Sequence, residues 1–426
     1  MSGAAPIPMS ATLAADEALA RRQRAGEQVL YMAGGEIGLP VLPALRRQLA
    51  AAADRNAYGP VPGSHALRAA AAGYWGRRGL AVDPGLVVAG PGSKPLLFAL
   101  LLAIGGDVVV PVPSWVSYVA QARLVGARPI PVPIAPGQGG VPDPERLRAA
   151  VVAARAAGRD PRCVVVTLPD NPTGTVASPG TVRRLAATAR ELDLVIVSDE
   201  IYRDLVYDTS VPAESPALHA PERTVVTTGL TKNLAVGGWR TGVAGLPDSD
   251  TGRALHDRLV SVASQIWSSP PAPMQAAAAY AFGEPTEITE HVAACRRLHE
   301  SVARAVADRF TGAGAALAPV RATCYLYPDF GPLRDRLARD HGVRGGEDLV
   351  RFLVERHGIG LLAAGAFGEP GDPLRIRAAT SRLYGEDDER RTAALTAPAP
   401  LELPWIRKNL EQIDTALTDL TGAPVP

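Results

Sequence analysis

The sequence predicts an α/β protein: a large domain with a mostly parallel central sheet flanked by helices, and a smaller α+β domain beside it. Three observations carry this. Short β-branched runs such as VVVTLPD (164–170), LVIVSDEIY (194–202) and TVVTTGL (224–230) alternate with amphipathic helical patterns, which is the signature of βαβ units with both faces of the sheet covered. From about residue 295 the texture changes to long helices bearing Arg and Glu with scattered strands such as TCYLYPDF (323–330) and PLRIRAAT (373–380). At 426 residues the chain exceeds one ordinary domain. The expected division is 1–48 and 295–426 for the smaller unit and 49–294 for the larger.

Taken in order, the elements follow from their punctuation. The stretch PLLFALLLAIGGDVVVPVP (95–113) is broken by Gly105, Gly106 and Asp107 before it reaches the length of a bilayer, so it reads as a buried helix, a turn and a buried strand. Ser178 followed by Pro179 opens a helix over SPGTVRRLAATARELD. The segment 385–405, charged and then Ala/Pro-rich, reads as a surface loop before the last helix.

Composition excludes several functions. Apolar residues make up 47% and charged residues 20%, as in a globular protein with a sizeable core. With 44 basic and 43 acidic side chains the net charge is +1, which argues against a nucleic-acid surface or a polybasic membrane patch. The first residues lack a basic start followed by an apolar run, so the reading is cytoplasmic. Cys163, Cys295 and Cys324 are widely spaced, read as reduced core thiols, and include no CxxC pair to suggest zinc.

In open parallel sheets ligands gather beyond the carboxyl ends of the strands. Chemistry-bearing residues collect at such ends here. After GLVVAG comes Gly92-Ser93-Lys94, a turn opening an apolar helix, whose N–H groups and dipole suit a phosphate. After VVVTLPD comes the NPTG turn with Asn171; after LVIVS come Asp199 and Tyr202; after TVVTTGL come Thr231, Lys232 and then Arg240. Singly, each has a structural explanation: an Asx turn at Asn171, a helix cap at Asp199, a snorkelling Lys232, a core Trp115. Their joint occurrence at successive strand ends favours one site. Lys232 stands among small and apolar residues, where an ammonium is costly and a lysine that sheds its charge becomes a nucleophile.

The motifs AYGPVPG, GPGSK, PSWVSY, DNPTGT, SDEIY, TKNLAVGGWRTG and LRIRAATS, in this order along nearly the whole chain, resemble those of the pyridoxal-phosphate (PLP) dependent class I/II aminotransferases of the aspartate aminotransferase fold (fold type I). The resemblance implies pyridoxal 5'-phosphate held as a Schiff base on Lys232, with Asp199 against the pyridine nitrogen. It implies Asn171 and Tyr202 on the phenolic oxygen, Trp115 stacked on the ring, and Gly92, Ser93, Lys94, Thr231 and Arg240 around the phosphate. It further implies a homodimer in which Tyr58 reaches the neighbouring subunit's phosphate, and Arg375 clamping the substrate α-carboxylate with Gly35 nearby. The activity implied is transfer of the α-amino group of an amino acid to a 2-oxo acid, Lys232 moving the proton at the α-carbon. Elimination or replacement at the β- or γ-carbon, or oxidation in a specialised pathway, begins with the same proton removal and stays open. Three departures bear on the substrate: GGEIGLP, with Ile37, Gly38 and Leu39, where relatives often carry Glu-Pro-Asp-Phe; Gly229 and Thr231 in place of serines; and the 385–405 insert.

Overall fold

The computed structural model describes residues 8–211 and 213–422. Residues 1–7 and 423–426, assigned above to the two ends of the smaller unit, lie outside the described residues. Among the described residues twelve strands form three sheets.

A two-residue strand near the N-terminus, β1 (Leu30–Tyr31), stands apart from the central sheet. That sheet has seven strands: β2 (Val87–Gly90), β3 (Asp107–Val112), β4 (Pro129–Pro133), β5 (Pro161–Thr167), β6 (Val195–Asp199), β7 (Thr224–Gly229) and β8 (Gly242–Gly245). Their order across the sheet is β2-β8-β7-β6-β5-β3-β4. All pairs are parallel except those of β8, which runs antiparallel to both β2 and β7. Successive residues alternate faces. Val108 and Val110 pack with Leu96, Leu100 and Tyr118 on one side, while Val109 packs with Val164, Leu185 and Ile196 on the other. Both faces are apolar, so these strands read as continuous rather than alternating runs.

The helices form where their punctuation says. The helix Pro179–Glu191 has proline at its first position, and the Ser178 side chain accepts from the Thr181 N–H at 3.3 Å. The helix Ser93–Ile104 and β3 divide the long apolar stretch at Gly105 and Gly106, both with positive φ. No helix among the described residues is long and apolar enough to cross a membrane.

The remaining strands are β9 (Tyr325–Leu326), β10 (Ile359–Gly360), β11 (Leu362–Ala363) and β12 (Ile376–Ala379). They form an antiparallel sheet β11-β12-β9, and β10 pairs in parallel with β1. Residues from both ends of the chain, among them Leu30, Met32, Phe310, Leu326 and Leu410, share one core. The expected boundary at 294/295 falls inside the continuous helix Thr286–Gly312.

The 385–405 segment is not a loop. It holds the helix Asp388–Thr396, a short turn at Pro400–Glu402 and the start of the final helix Pro404–Thr421. The Asp387 side chain accepts from the Arg390 N–H at 2.8 Å, Asp388 and Glu389 sit at the positive end of the helix dipole, and Ala394 is buried. Clustered charge followed by alanines, read as loop composition, is here a capped short helix. It packs beside the 36–39 turn, where a Cβ on Gly38 would meet the Arg391 guanidinium at 3.4 Å.

Gly174, in the NPTG turn, ties the two parts together. Its φ is +68°, and a Cβ there would collide with the Tyr325 carbonyl oxygen on β9. Gly174→Ala should therefore destabilise the protein by about 1–3 kcal/mol, read as a lower denaturation midpoint at unchanged m-value.

Candidate active site

The carboxyl ends of β2, β5, β6 and β7 open onto one cleft of about 480 Å³. At one end, Gly92 (φ +98°) caps the helix Ser93–Ile104, whose first N–H groups have no partner within the helix. Arg240, itself left-handed at φ +53°, packs so closely that any side chain at Gly92 would strike its guanidinium. A Cβ on Gly242 of β8 would lie 2.5 Å from the Ser93 nitrogen, so glycine alone allows this approach. Lys94 lies 5.1 Å from the centroid of the Trp115 ring, and burial, with Arg240 and Lys232 nearby, lowers its pKa. Three cationic side chains thus come together, and among the described residues none of them forms a salt bridge with a carboxylate, which suits an anion.

Deeper in, Asp199 ends β6 and is 4% exposed. Its partners are hydroxyls: Tyr118 donates to Oδ2 at 2.9 Å and Thr227 to Oδ1 at 3.4 Å. Burial raises its pKa to about 6, with the two hydroxyl bonds pulling the other way. A buried carboxylate held by two hydroxyls and the Ile201 backbone N–H, all neutral donors, fits a ligand that brings a cation. Lys232, three residues beyond β7, donates to the Gly35 carbonyl at 2.6 Å, and its Nζ lies 5.9 Å from the Tyr202 ring centroid. The Tyr202 hydroxyl meets Tyr325 at 3.0 Å and Asn171 Nδ2 at 3.4 Å.

All the residues expected from the sequence line this cleft except Gly92, Tyr58 and Arg375. Gly92 lies behind Arg240, and Tyr58 is on the surface, 90% exposed. Arg375 requires a correction. It is turned away, donating to Asp329 at 2.8 Å and to Glu369 at 2.7 Å, with its side chain 41% exposed. Of these two arginines, Arg377 lines the cleft, and it is 1% exposed. It donates to Asn171 Oδ1 at 3.0 Å and to the Ala33 carbonyl, lies 4.9 Å from the ring centroids of both Tyr325 and Phe367, and keeps a buried Nε with no partner. By spacing alone two arginines two residues apart are expected on one face of an extended segment, but Arg375 precedes β12 and is held by Asp329 and Glu369.

Sequence reading also missed Tyr118, Thr167, Tyr325 and the cleft-facing side of the helix Ala11–Arg24. Tyr118 was visible in PSWVSY, one turn beyond Trp115, with the two rings 5.2 Å apart edge to face. Nothing in the sequence places residues 10–16 over strands two hundred residues away.

The family model for aminotransferase class I and II matches residues 29–383. The chain belongs to the class I and II aminotransferases. It is 30% identical over 391 residues to an aspartate aminotransferase of Geobacillus stearothermophilus, spanning 88% of this chain and 93% of the relative. A probable aspartate/prephenate aminotransferase of Thermus aquaticus is 37% identical over 269 residues, 61% of this chain and 66% of that protein. An arginine–pyruvate transaminase of Pseudomonas aeruginosa is 32% identical over 362 residues, 82% of this chain and 85% of its own. The fold matches the crystal structure of Thermus thermophilus aspartate aminotransferase with maleate at a TM-score of 0.82 and 26% identity, covering 98% of this chain and 100% of that one. Class I and II aminotransferases transfer amino groups and depend on PLP.

The geometry separates the two arginines. Arg377→Ala should weaken binding of a carboxylate ligand by about 2–5 kcal/mol, because it removes a buried fork. Arg375→Ala breaks only half-exposed ion pairs and should leave that affinity within about threefold of wild type. Titration of both variants with a small monocarboxylate ligand checks this, and the reverse ranking would restore Arg375 to the site.

Proposed function

We propose that the chain is a PLP-dependent aminotransferase that moves the α-amino group of an amino acid to a 2-oxo acid, with Lys232 as the covalent anchor of the cofactor. The observation that carries this reading is the presence of Lys232, the buried Asp199, and Ser93, Lys94 and Arg240 in the lining of one cleft. The bound cofactor supplies an electron sink for bonds at the substrate's α-carbon. Asp199 keeps a proton on the cofactor's ring nitrogen, since a buried carboxylate is far better placed beside a cation than alone. Ser93, Lys94, Thr231 and Arg240 hold the phosphate with the N-terminus of the helix that Gly92 caps. Tyr202 and Asn171 donate to the phenolic oxygen, and Trp115 flanks the ring.

Arg377, in place of Arg375, binds the α-carboxylate through its free Nε, beside Asn171 and Gly35. Lys232 Nζ then stands within reach of the α-carbon and moves its proton, as general base and acid. The rest of the sequence reading belongs to the same proposal. Residues 49–294 form the cofactor-binding domain, 1–48 with 295–426 the smaller one, and two copies assemble so that the exposed Tyr58 reaches the partner's phosphate. The three free, buried cysteines fit the reducing cytoplasm.

Two experiments test this. The purified protein should be yellow, and borohydride should fix the cofactor on the peptide containing Lys232; label on Lys94, or on no lysine, would sink the assignment. Asp199→Asn should lower kcat by several orders of magnitude with little change in KM or melting temperature, the pattern of an interaction felt in the transition state. Near-normal kcat in this variant would reduce Asp199 to a structural role.

A further inference from the structure

The helix Ala11–Arg24 closes one wall of the cleft and presents Thr12 and Asp16, one turn apart on the same face. Both carry a buried polar atom without a partner, Thr12 Oγ1 and Asp16 Oδ1. Asp16 lies against the Gly34–Gly35 turn so closely that any side chain at Gly34 would occupy the position of its carboxylate. Glu36 lines the same wall from the next residues of that turn. Thr12, Asp16 and Glu36 therefore line the cleft together with Gly35, where the substrate lies on the reading above.

A balance of charge shows what that space lacks. The charged residues lining the cleft are Lys94, Lys232, Arg240 and Arg377 against Asp16, Glu36 and Asp199. With the functional assignment above, Lys94 and Arg240 are matched by the cofactor phosphate, Arg377 by the α-carboxylate, Asp199 by the ring nitrogen, and Lys232 by its covalent bond. Asp16 and Glu36 are left over. Arg382 offsets them only from outside the lining: it lies over the Tyr31 ring at 4.1 Å from the centroid, with an N–O distance of 4.0 Å to Glu36. Burial is the largest influence on Asp16, raising its pKa, and a bound cation would relieve that cost.

We propose that the amino donor carries a cationic, hydrogen-bond-donating side chain, an ammonium or a guanidinium, and that Asp16 with Thr12 and Glu36 selects it. An ammonium offers three donors and a guanidinium five, enough to satisfy Asp16 Oδ1 and Thr12 Oγ1 together, whereas an aliphatic side chain leaves both stranded and a carboxylate adds repulsion. The proposal rests on the aminotransferase reading and deepens it by naming the substrate class.

The test is the single-turnover half-reaction of the cofactor-loaded enzyme, followed as loss of the visible band, with L-lysine, L-ornithine, L-arginine, L-aspartate, L-glutamate, L-alanine and L-leucine. At least one basic donor should exceed the acidic and aliphatic donors in kcat/KM by about tenfold or more, and D16N should cut the basic-to-aliphatic ratio by about tenfold. E36Q should lower it less, because the Glu36 side chain is 72% exposed. Melting temperature and retention of the visible band show whether each variant is folded and loaded, and the wild-type ranking stands independently of both. Fastest reaction with aspartate or glutamate overturns the proposal and gives the side chain to Lys94 or Arg382. An aliphatic preference, or an unchanged ratio in a folded D16N, overturns it too. Conversion by none of the donors removes the aminotransferase reading itself, and this inference with it.

Discussion

Much of this molecule is arranged around one carboxylate kept out of water. Asp199 ends a central strand, and the parallel register sets Thr167 of β5, Asp199 of β6 and Thr227 of β7 side by side. The Tyr118 hydroxyl bridges Asp199 and Thr167, donating to the first and accepting from the second at 2.7 Å. A slip of one residue in any of these strands would turn its member to the opposite face and leave the carboxylate with too few donors. Hydroxyls solvate the buried charge without neutralising it, so its field remains available to a cation in the cleft. The parallel sheet with both faces covered is what makes such burial possible.

The opposite end of the cleft obeys a different constraint, the close approach of backbones. Glycine at 92 and 242, and the left-handed turn at Arg240, bring β8 and the helix Ser93–Ile104 nearly into contact. Helix N–H groups, Lys94 and Arg240 then face one point. Burial first, and then the like charges of Arg240 and Lys232, lower the pKa of Lys94, a cost that an anion at this point would relieve. The cleft thus carries a buried carboxylate in one part and the cations Lys94, Arg240 and Lys232 in another.

Segments distant in sequence close the remaining sides. Gly35 accepts from Lys232, Tyr325 on β9 meets Tyr202, and Arg377 on β12 meets Asn171. Each of these bonds joins a residue at or just beyond a central-sheet strand to a segment from one of the two ends of the chain. The cleft is therefore complete only when both parts are folded, and Gly174 against the Tyr325 carbonyl is one of the points where they lock.

Sequence alone determined the layered α/β architecture, because β-branched runs alternating with capped helices have few other ways to bury themselves. It also singled out Asn171, Asp199, Tyr202, Lys232 and Arg240 near strand ends, and the structure brings these into the lining of one cleft. Local composition misled at 385–405, where an aspartate cap and a single buried alanine turn an apparent loop into a helix. What only the tertiary structure decided is which side chains complete the site from afar. Arg375 and Arg377 are equivalent by spacing, and the difference lies in Asp329 and Glu369, which reach the first from other loops and leave the second a free nitrogen in the cleft. Asp16 is an ordinary helical acid in the sequence and becomes a wall of the site only because its helix folds back over the Gly34–Gly35 turn. Such contacts depend on the path of the whole chain, and no periodicity within a short window encodes that path.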